Sequence, residues 1–560
     1  MARIAVAARV FVATLLVYVA TAGGSLTSSD AVVAFDVTKN LCEHGSLAYS
    51  GELLGMDAHR GVDGRYYAPF GVAQSVYNIP FYLAGRSAQR LLGVRLGRAD
   101  SVPKAAVSLG GTVVAAACVA LTWLLALEVS GAASVAFGAA ALFGFATVFW
   151  PYSKFGFNAP LATCCLLAGT LGVWSGVHRR RVLPVAAGGL AFGVAMLTRH
   201  ELVIALVPAA VFLAVAHPRS RLVVNQAAAG AAGFAVGFGA WMALNVVRFG
   251  NPLNPGYLGD PNPAFGSSVA WGLYGLLASP SSSLLLYCPV VLLAVPALVA
   301  WWREDRAATV LFAGLFVTLL AFYAQLGNWV GGRSYGPRYL VPALPFLAIA
   351  AARWLQKQGR GVVRTVAWAL CALSVTVQLP GVLVDYSKVS VAWARLYAAG
   401  TVPDRRVTWS ASPLLLNTKA AMEAVPRNAR YVAGLDAPPR AAAGPAESRD
   451  FAQQFAFSLD FWWLYLFYLG AWGRAAALCA GLAPLALGSA LGWRTWKGSQ
   501  TQDEKRETRN VKRETRNEKR KTRNEKRETR NEERKATTDV VSVPAFCVLR
   551  FAFYNISPRR

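Results

Sequence analysis

Long apolar runs separated by short polar and basic stretches set the pattern of this chain. About twelve runs are long enough, or nearly so, to cross roughly 30 Å of hydrocarbon: residues 6–24, 106–127, 131–150, 158–176, 183–197, 201–216, 223–245, 283–302, 307–326, 338–356, 364–384 and 475–493. Within hydrocarbon only an α-helix or a closed barrel satisfies its own backbone, and runs of this length without period-two alternation predict helices. The expected fold is therefore all-α, a polytopic transmembrane bundle with a large first extracytoplasmic loop. A further stretch, Ala68 to Gly85, is nearly as apolar but is followed by Arg86, Arg90, Arg95, Arg98 and Lys104. Were it a span, every later basic cluster would lie outside, so it is expected to lie flat in the interface as an amphipathic element.

Orientation follows from the loops that carry Lys and Arg, which are retained in the cytoplasm. With Arg3 and Arg9 inside, the clusters at 178–181, 218–221, 303–306 and 353–364 also fall inside, as does the tail. This predicts a multi-pass protein of the plasma (inner) membrane with both termini cytoplasmic. The expected organisation is a transmembrane domain over 1–496, with outer loops at 25–105 and 385–456, a cytoplasmic tail over 497–539 and an unassigned segment over 540–560. Met1 to Gly24 has the basic start and apolar core of a signal peptide, but no convincing small-residue cleavage site precedes Ser25 and a polytopic protein needs no separate signal, so a retained first helix is expected.

Composition sharpens this picture. Apolar residues make up 55% of the chain and charged residues 15%, which excludes a soluble or disordered class. The eight cysteines are scattered, six of them within the apolar runs, so neither a disulfide framework nor a zinc site is predicted. The net charge of +27 raises the question of nucleic acid, yet much of it lies in cytoplasmic loops and in the repeat KRETRNV, KRETRNE, KRKTRNE, KRETRNE that starts at Lys505. Only Val511 in that repeat is apolar, so there is no coiled-coil seam. It reads as a solvated low-complexity tail suited to anionic lipid head groups. Without interleaved aromatics, no nucleic-acid partner is expected.

Candidate chemistry gathers on the outer side. A charge held at membrane depth costs roughly 3 kcal/mol, so ionisable interruptions of apolar sequence are functional hypotheses. Asp30 follows the first run directly, where a general base for a membrane-bound substrate would sit, and Asp36 could share the site and raise its neighbour's pKa. The plainer reading is that both carboxylates cap or solvate an outer turn. Arg199 and His200 stand between two runs, and in GNWVGGRSYGPR (327–338) Gly331, Gly332 and Gly336 surround Arg333 and Arg338. Exposed backbone N–H groups and guanidinium forks suit a phosphate; the alternative is that the arginines snorkel to the interface. Candidate phosphate-binding residues are thus Arg199, Arg333, Arg338 and Gly332, with His200, Tyr335, Lys154 and Tyr152 as further candidates for substrate contact. No cofactor is expected: Asp57, His59 and Asp63 could hold a divalent metal, but such spacing is common in hydrophilic loops. Trp150, Tyr152, Trp271, Tyr274 and Trp329 suit interface anchors.

These features occur in a recognisable order: an Asp after the first helix, LCEHGSLAYSGE and DGRYYAPFGVAQSVYNIPFYLAG in the first loop, FWPYSKFGFNAP before the fourth run, LTRHE, NVVRFGNPLNPGY, GLYGLLASPSSSLLLYCP and GNWVGGRSYGPRYLVPALPFL. From about Ala5 to Trp493 the chain resembles bacterial membrane glycosyltransferases of the GT-C fold, in the group of protein-mannosyltransferase-like and RgtA/B/C/D-like enzymes. The resemblance implies a polyprenyl-phosphate sugar donor, an inverting transfer of a hexose or pentose to a lipid, glycan or protein acceptor of the cell envelope, and a catalytic Asp in the first outer loop. Many members carry an adjacent acidic pair after the first helix; here Ser29 and Ala31 flank Asp30, which leaves the choice between Asp30 and Asp36 open and removes support for a metal. The rival class is a transporter or flippase of a lipid-linked or amphiphilic solute, which would be expected to show internal repeats and charges near the bilayer midplane.

Overall fold

The computed structural model describes residues 2–49, 59–92, 100–216, 221–256, 265–359, 361–438, 455 and 458–541. Charge-free apolar sequence folds as expected into helices, in the order α1 (Ala2–Thr21), α2 (Ser29–His44), α3 (Ala73–Leu92), α4 (Ser101–Ser130), α5 (Ala133–Phe145), α6 (Phe149–Tyr152), α7 (Asn158–His178) and α8 (Leu183–Thr198). A 3-10 turn, His200–Ala205, leads into α9 (Leu206–Ala216), followed by α10 (Arg221–Phe249), α11 (Val269–Leu277) and α12 (Leu284–Tyr287). After a second 3-10 turn, Pro289–Leu293, come α13 (Ala294–Glu304) and α14 (Arg306–Tyr323). A third, Arg338–Ala343, opens α15 (Leu344–Lys357). The chain continues as α16 (Val362–Leu383), α17 (Tyr386–Ala398), α18 (Pro413–Ala433), α19 (Trp462–Tyr468) and α20 (Arg474–Val541). Among the described residues the one sheet is a two-residue antiparallel hairpin in the first loop, β1 (His59–Arg60) and β2 (Tyr66–Tyr67), with His59 opposite Tyr67. The chain divides into two compact units, residues 1–497 and 498–560. Within the second, the described residues are helical to Val541.

Among the described residues eight helical segments are long and apolar enough to cross a membrane: α1 from Arg3, α4, α7, α10, α14, Arg338–Lys357, α16, and α20 over Arg474–Thr501. The other four expected runs form shorter pieces. Ala133–Phe145, Leu183–Thr198 and His200–Ala216 are apolar helices below that length. The run 283–302 is broken, because Cys288 before Pro289 sits at φ −135°, ψ 63°, outside the helical region, as a residue preceding proline tends to. The amphipathic stretch of the first loop becomes α3, which starts at Ala73 and is not among the candidate spans.

Small residues let the spans approach closely. A Cβ on Gly189 of α8 would lie 1.9 Å from the Gly230 carbonyl of α10, and one on Gly193 would lie 3.0 Å from Gly237 Cα. Close backbone packing of this kind joins apolar helices where no hydrophobic force can. The spans run in both directions, which gives the bundle two polar ends. At one end Glu128 of α4 receives Arg3 at 3.0 Å and Arg179 at 2.7 Å, while Glu304, the last residue of α13, pairs with Arg353 at 2.8 Å and with Lys357. At the other end meet the C-termini of α1, α8, α14 and α16 and the N-termini of α7 and Arg338–Lys357.

Candidate functional site

The link from Ala22 to Thr27 leaves α1, runs buried without helical structure and turns into α2. Ser28 caps α2, its Oγ accepting the Ala31 N–H at 3.2 Å. Capping is therefore done by a neighbour, and Asp30 in the first turn is left with its carboxylate available. There the partial positive charge of the helix N-terminus favours an anion. Its Oδ2 lies 3.3 Å from Arg338 Nη2, longer than the usual charge-assisted bond, and its Oδ1 accepts the Ser29 hydroxyl at 3.3 Å. The pair is real but loose.

Asp36 does not join it. Six residues along a helix place the two carboxylates about 9 Å apart along the axis and roughly 120° apart around it. The expected sharing of one site, with like-charge repulsion between the two, is corrected by the helical backbone of Ser29–His44.

Arg338 heads the third 3-10 turn and lies with its guanidinium 5.3 Å from the Phe157 ring centre and 5.1 Å from that of Tyr339. Gly331 makes room for it: its φ is +72°, and a Cβ there would stand 2.7 Å from Arg338 Cδ. Arg199 ends α8 in an extended conformation that turns its side chain inward. Its Nε pairs with Glu201 Oε1 at 2.8 Å and its Nη2 donates to the Tyr323 hydroxyl at 2.8 Å, while that hydroxyl donates to Glu201. The same guanidinium lies 5.6 Å from the Tyr339 ring centre. Tyr339 thus has both arginines against it and is itself stacked on Tyr323 at 4.5 Å. Two donors remain buried without a hydrogen-bond partner, Arg199 Nη1 and Arg338 Nε. Two guanidinium groups, two carboxylates and two unfilled N–H groups form a near-neutral site with room in its hydrogen bonding for an added anion.

The other predicted residues have different places. Tyr152 is buried beside Phe157, at 5.6 Å between ring centres, and so borders Arg338. Gly332 and Arg333 lie exposed on the glycine loop, where the Gly332 carbonyl accepts from Arg405 Nη2 at 2.6 Å. Three residues expected to touch substrate are engaged by other partners in this structure. Trp241 Nε1 can only donate, and it reaches His200 Nδ1 at 2.9 Å; His200 Nε2 must then carry the proton that meets the Pro69 carbonyl at 3.0 Å. His200 is a tether for the first loop. Arg248 holds the same segment, donating to the carbonyls of Ala68 at 2.9 Å and Phe70 at 3.3 Å. The Tyr335 hydroxyl donates to the Val377 carbonyl, with its ring packed edge-on to Tyr287 in the core. Lys154 is fully enclosed and pairs with Asp460 at 2.9 Å.

Glu201, Tyr323, Tyr339 and Phe157 complete the site, and sequence reasoning assigns none of them to it, although Glu201 stands two residues from Arg199. Asp57 lies outside the described residues. Asp63 accepts the Tyr67 hydroxyl at 2.8 Å and the Arg65 N–H at 3.0 Å. Among the described residues no group of three or more His, Cys, Asp or Glu side chains is arranged to hold a metal ion.

No described protein family matches the chain, and no curated protein matches it. Among solved structures, the chain is similar to the crystal structure of ArnT from Cupriavidus metallidurans in the apo state, at 14% sequence identity and a TM-score of 0.46, over 88% of this chain and 76% of that one.

Proposed function

We propose that this chain is an integral membrane glycosyltransferase that moves a sugar from a polyprenyl-phosphate carrier to an acceptor hydroxyl on the extracytoplasmic face. The observation that carries this reading is the meeting of Asp30 with Arg338, 3.3 Å apart, beside Arg199, at the bundle end opposite the exposed basic clusters. Retention of basic residues in the cytoplasm supports reading that opposite end as outside. A sugar used there cannot come from a nucleotide donor confined to the cytoplasm, whereas a lipid-borne donor crosses with its carrier.

The chemistry needs few parts. Asp30 accepts the proton of the acceptor hydroxyl as its oxygen attacks the anomeric carbon. The bond from that carbon to the phosphate oxygen breaks on the opposite face, so the configuration inverts. The electron pair leaves with the phosphate, which needs cations rather than an acid. Arg338 Nε and Arg199 Nη1, the two donors without partners, are placed to receive it. Arg333, exposed on the glycine loop, is a further cation on that face. The acceptor is a lipid, glycan or protein of the cell envelope.

The test is to offer radiolabelled undecaprenyl-phosphate hexoses and pentoses to the detergent-solubilised protein with membrane-derived acceptors. Release of undecaprenyl phosphate and label transfer are expected. A transporter or flippase has no gradient to work on in detergent, so intact donor after incubation across the whole panel would reject the proposal.

A further inference from the structure

We propose that Lys154 and Asp460 form a buried lock that sets where Asp30 stands, which makes both of them positioning residues for the transfer proposed above; the functional half of this claim rests on that reading. The link from Ala22 to Thr27 has no helical ladder, so its backbone groups need partners from elsewhere. They come from late in the chain. The Trp462 N–H donates to the Ala22 carbonyl at 3.0 Å. The Trp462 and Trp463 indoles reach the last turn of α1, donating to the carbonyls of Val19 at 2.8 Å and Ala20 at 2.9 Å. From the start of α17, Ser387 Oγ donates to the Thr27 carbonyl at 2.9 Å.

Asp460 holds this strap in register. Its N–H donates to the Leu383 carbonyl at 2.8 Å, Oδ1 accepts the Tyr465 hydroxyl at 2.9 Å, and Oδ2 pairs with Lys154 Nζ at 2.9 Å. The carboxylate lies flat against Gly23, where a Cβ would come within 2.6 Å of Oδ2, so any other residue at 23 would push it away. Lys154 is anchored in turn: its carbonyl accepts Ser108 Oγ of α4 at 2.9 Å, and its Nζ also donates to the Val382 carbonyl at the end of α16. Through side chain and backbone together, Lys154 and Asp460 thereby link α4, the turn before α7, the end of α16 and the late outer segment beside the peptide that leads to Asp30.

Asp30 and Arg338 are carried on separate elements, and a displacement of about 1 Å at a reacting centre can cost on the order of 10²-fold in rate. A buried ion pair is a poor stabiliser compared with well-packed apolar side chains. Register, rather than stability, is what such a pair supplies here.

Two variants of the full chain test the proposal, Asp460→Asn and the double replacement Lys154→Met with Asp460→Leu. The double variant leaves no orphaned charge and so guards against simple misfolding. Hydrogen exchange over residues 22–30 and steady-state transfer are measured together. The expected result for both variants is exchange faster by on the order of 10-fold in that peptide alone, and a kcat lower by on the order of 10²-fold with donor KM unchanged. Parental exchange and kcat in the double variant would overturn the proposal, as would loss of protection throughout the bundle in both variants, the mark of a merely structural pair. A parent protein that transfers no sugar would defeat the functional reading, and the exchange arm would still decide whether the lock exists.

Discussion

The two ends of the bundle carry the same kinds of ion pair in opposite settings. At the basic end, Arg3 and Arg179 are 60% and 52% exposed as they reach Glu128. At the other end, Arg199 is 7% exposed against Glu201, and Lys154 and Asp460 are fully enclosed. Exposed pairs contribute at most about 1 kcal/mol and are cheap to keep. Enclosed pairs bear a desolvation cost that their mutual attraction does not reliably offset. Charge at the first end answers to solvent and to topology. At the second end, beside exposed pairs such as Arg406 with Asp404, the enclosed charges are held in place against their own cost, and that is where chemistry is to be sought.

This contrast can be broken at several points. Arg199→Met should have the largest effect on stability, because it leaves the partly buried Glu201 carboxylate without its cation; a loss of about 3 kcal/mol is expected in denaturant unfolding, together with loss of transfer. A stability change below 1 kcal/mol would mean that the site end is no different from the basic end. Arg338→Lys keeps the charge but not the planar fork or the contact with Phe157 and Tyr339. Donor KM should rise by about 10-fold, near 1.4 kcal/mol, with the fold intact by thermal unfolding. At the basic end Glu128→Gln should cost less than about 1 kcal/mol and leave transfer unchanged.

The smallest effect concerns pH. Burial, and then the nearby Asp460 charge, push the Asp385 carboxyl up to about 6. The folded protein then holds a proton that the unfolded chain releases near pH 4. The stability this supplies is complete below pH 4 and is lost as pH rises through about 6. Asp385→Asn keeps an oxygen able to accept from the N–H groups of Ser387 and Lys388. Its melting temperature relative to the parent should therefore rise between pH 4.5 and 7.5, by about 2 °C or more; an unchanged difference would contradict the assignment.

What can be read in the sequence follows from the same contrast. Asp30, Arg199 and Arg338 stand out because a charge in apolar sequence is costly wherever it falls, and their places at helix ends put them on one side. Lys154 is equally conspicuous, yet Asp460, which neutralises it, lies in a distant loop, and no local spacing joins the two. Sequence alone therefore makes an enclosed lysine look like a substrate contact. His200 misleads in the same way, since Trp241 and Pro69 occupy both its ring nitrogens from other elements. Asp36 looks like a partner of Asp30 only while residues 29–44 are taken as loop; once they are helical, the two carboxylates turn apart. Long apolar runs are legible as helices, but the break at Cys288–Pro289 shows how one imide divides a run that hydropathy reads as continuous.

The most direct test of the central claim is to measure transfer and thermal unfolding side by side for Asp30→Asn. Because Ser28 caps α2 and Asn keeps the shape of the side chain, the melting temperature should stay within about 2 °C of the parent, while transfer from the undecaprenyl-phosphate sugar should fall by on the order of 10³-fold. Parental transfer by a folded Asp30→Asn protein would contradict the account.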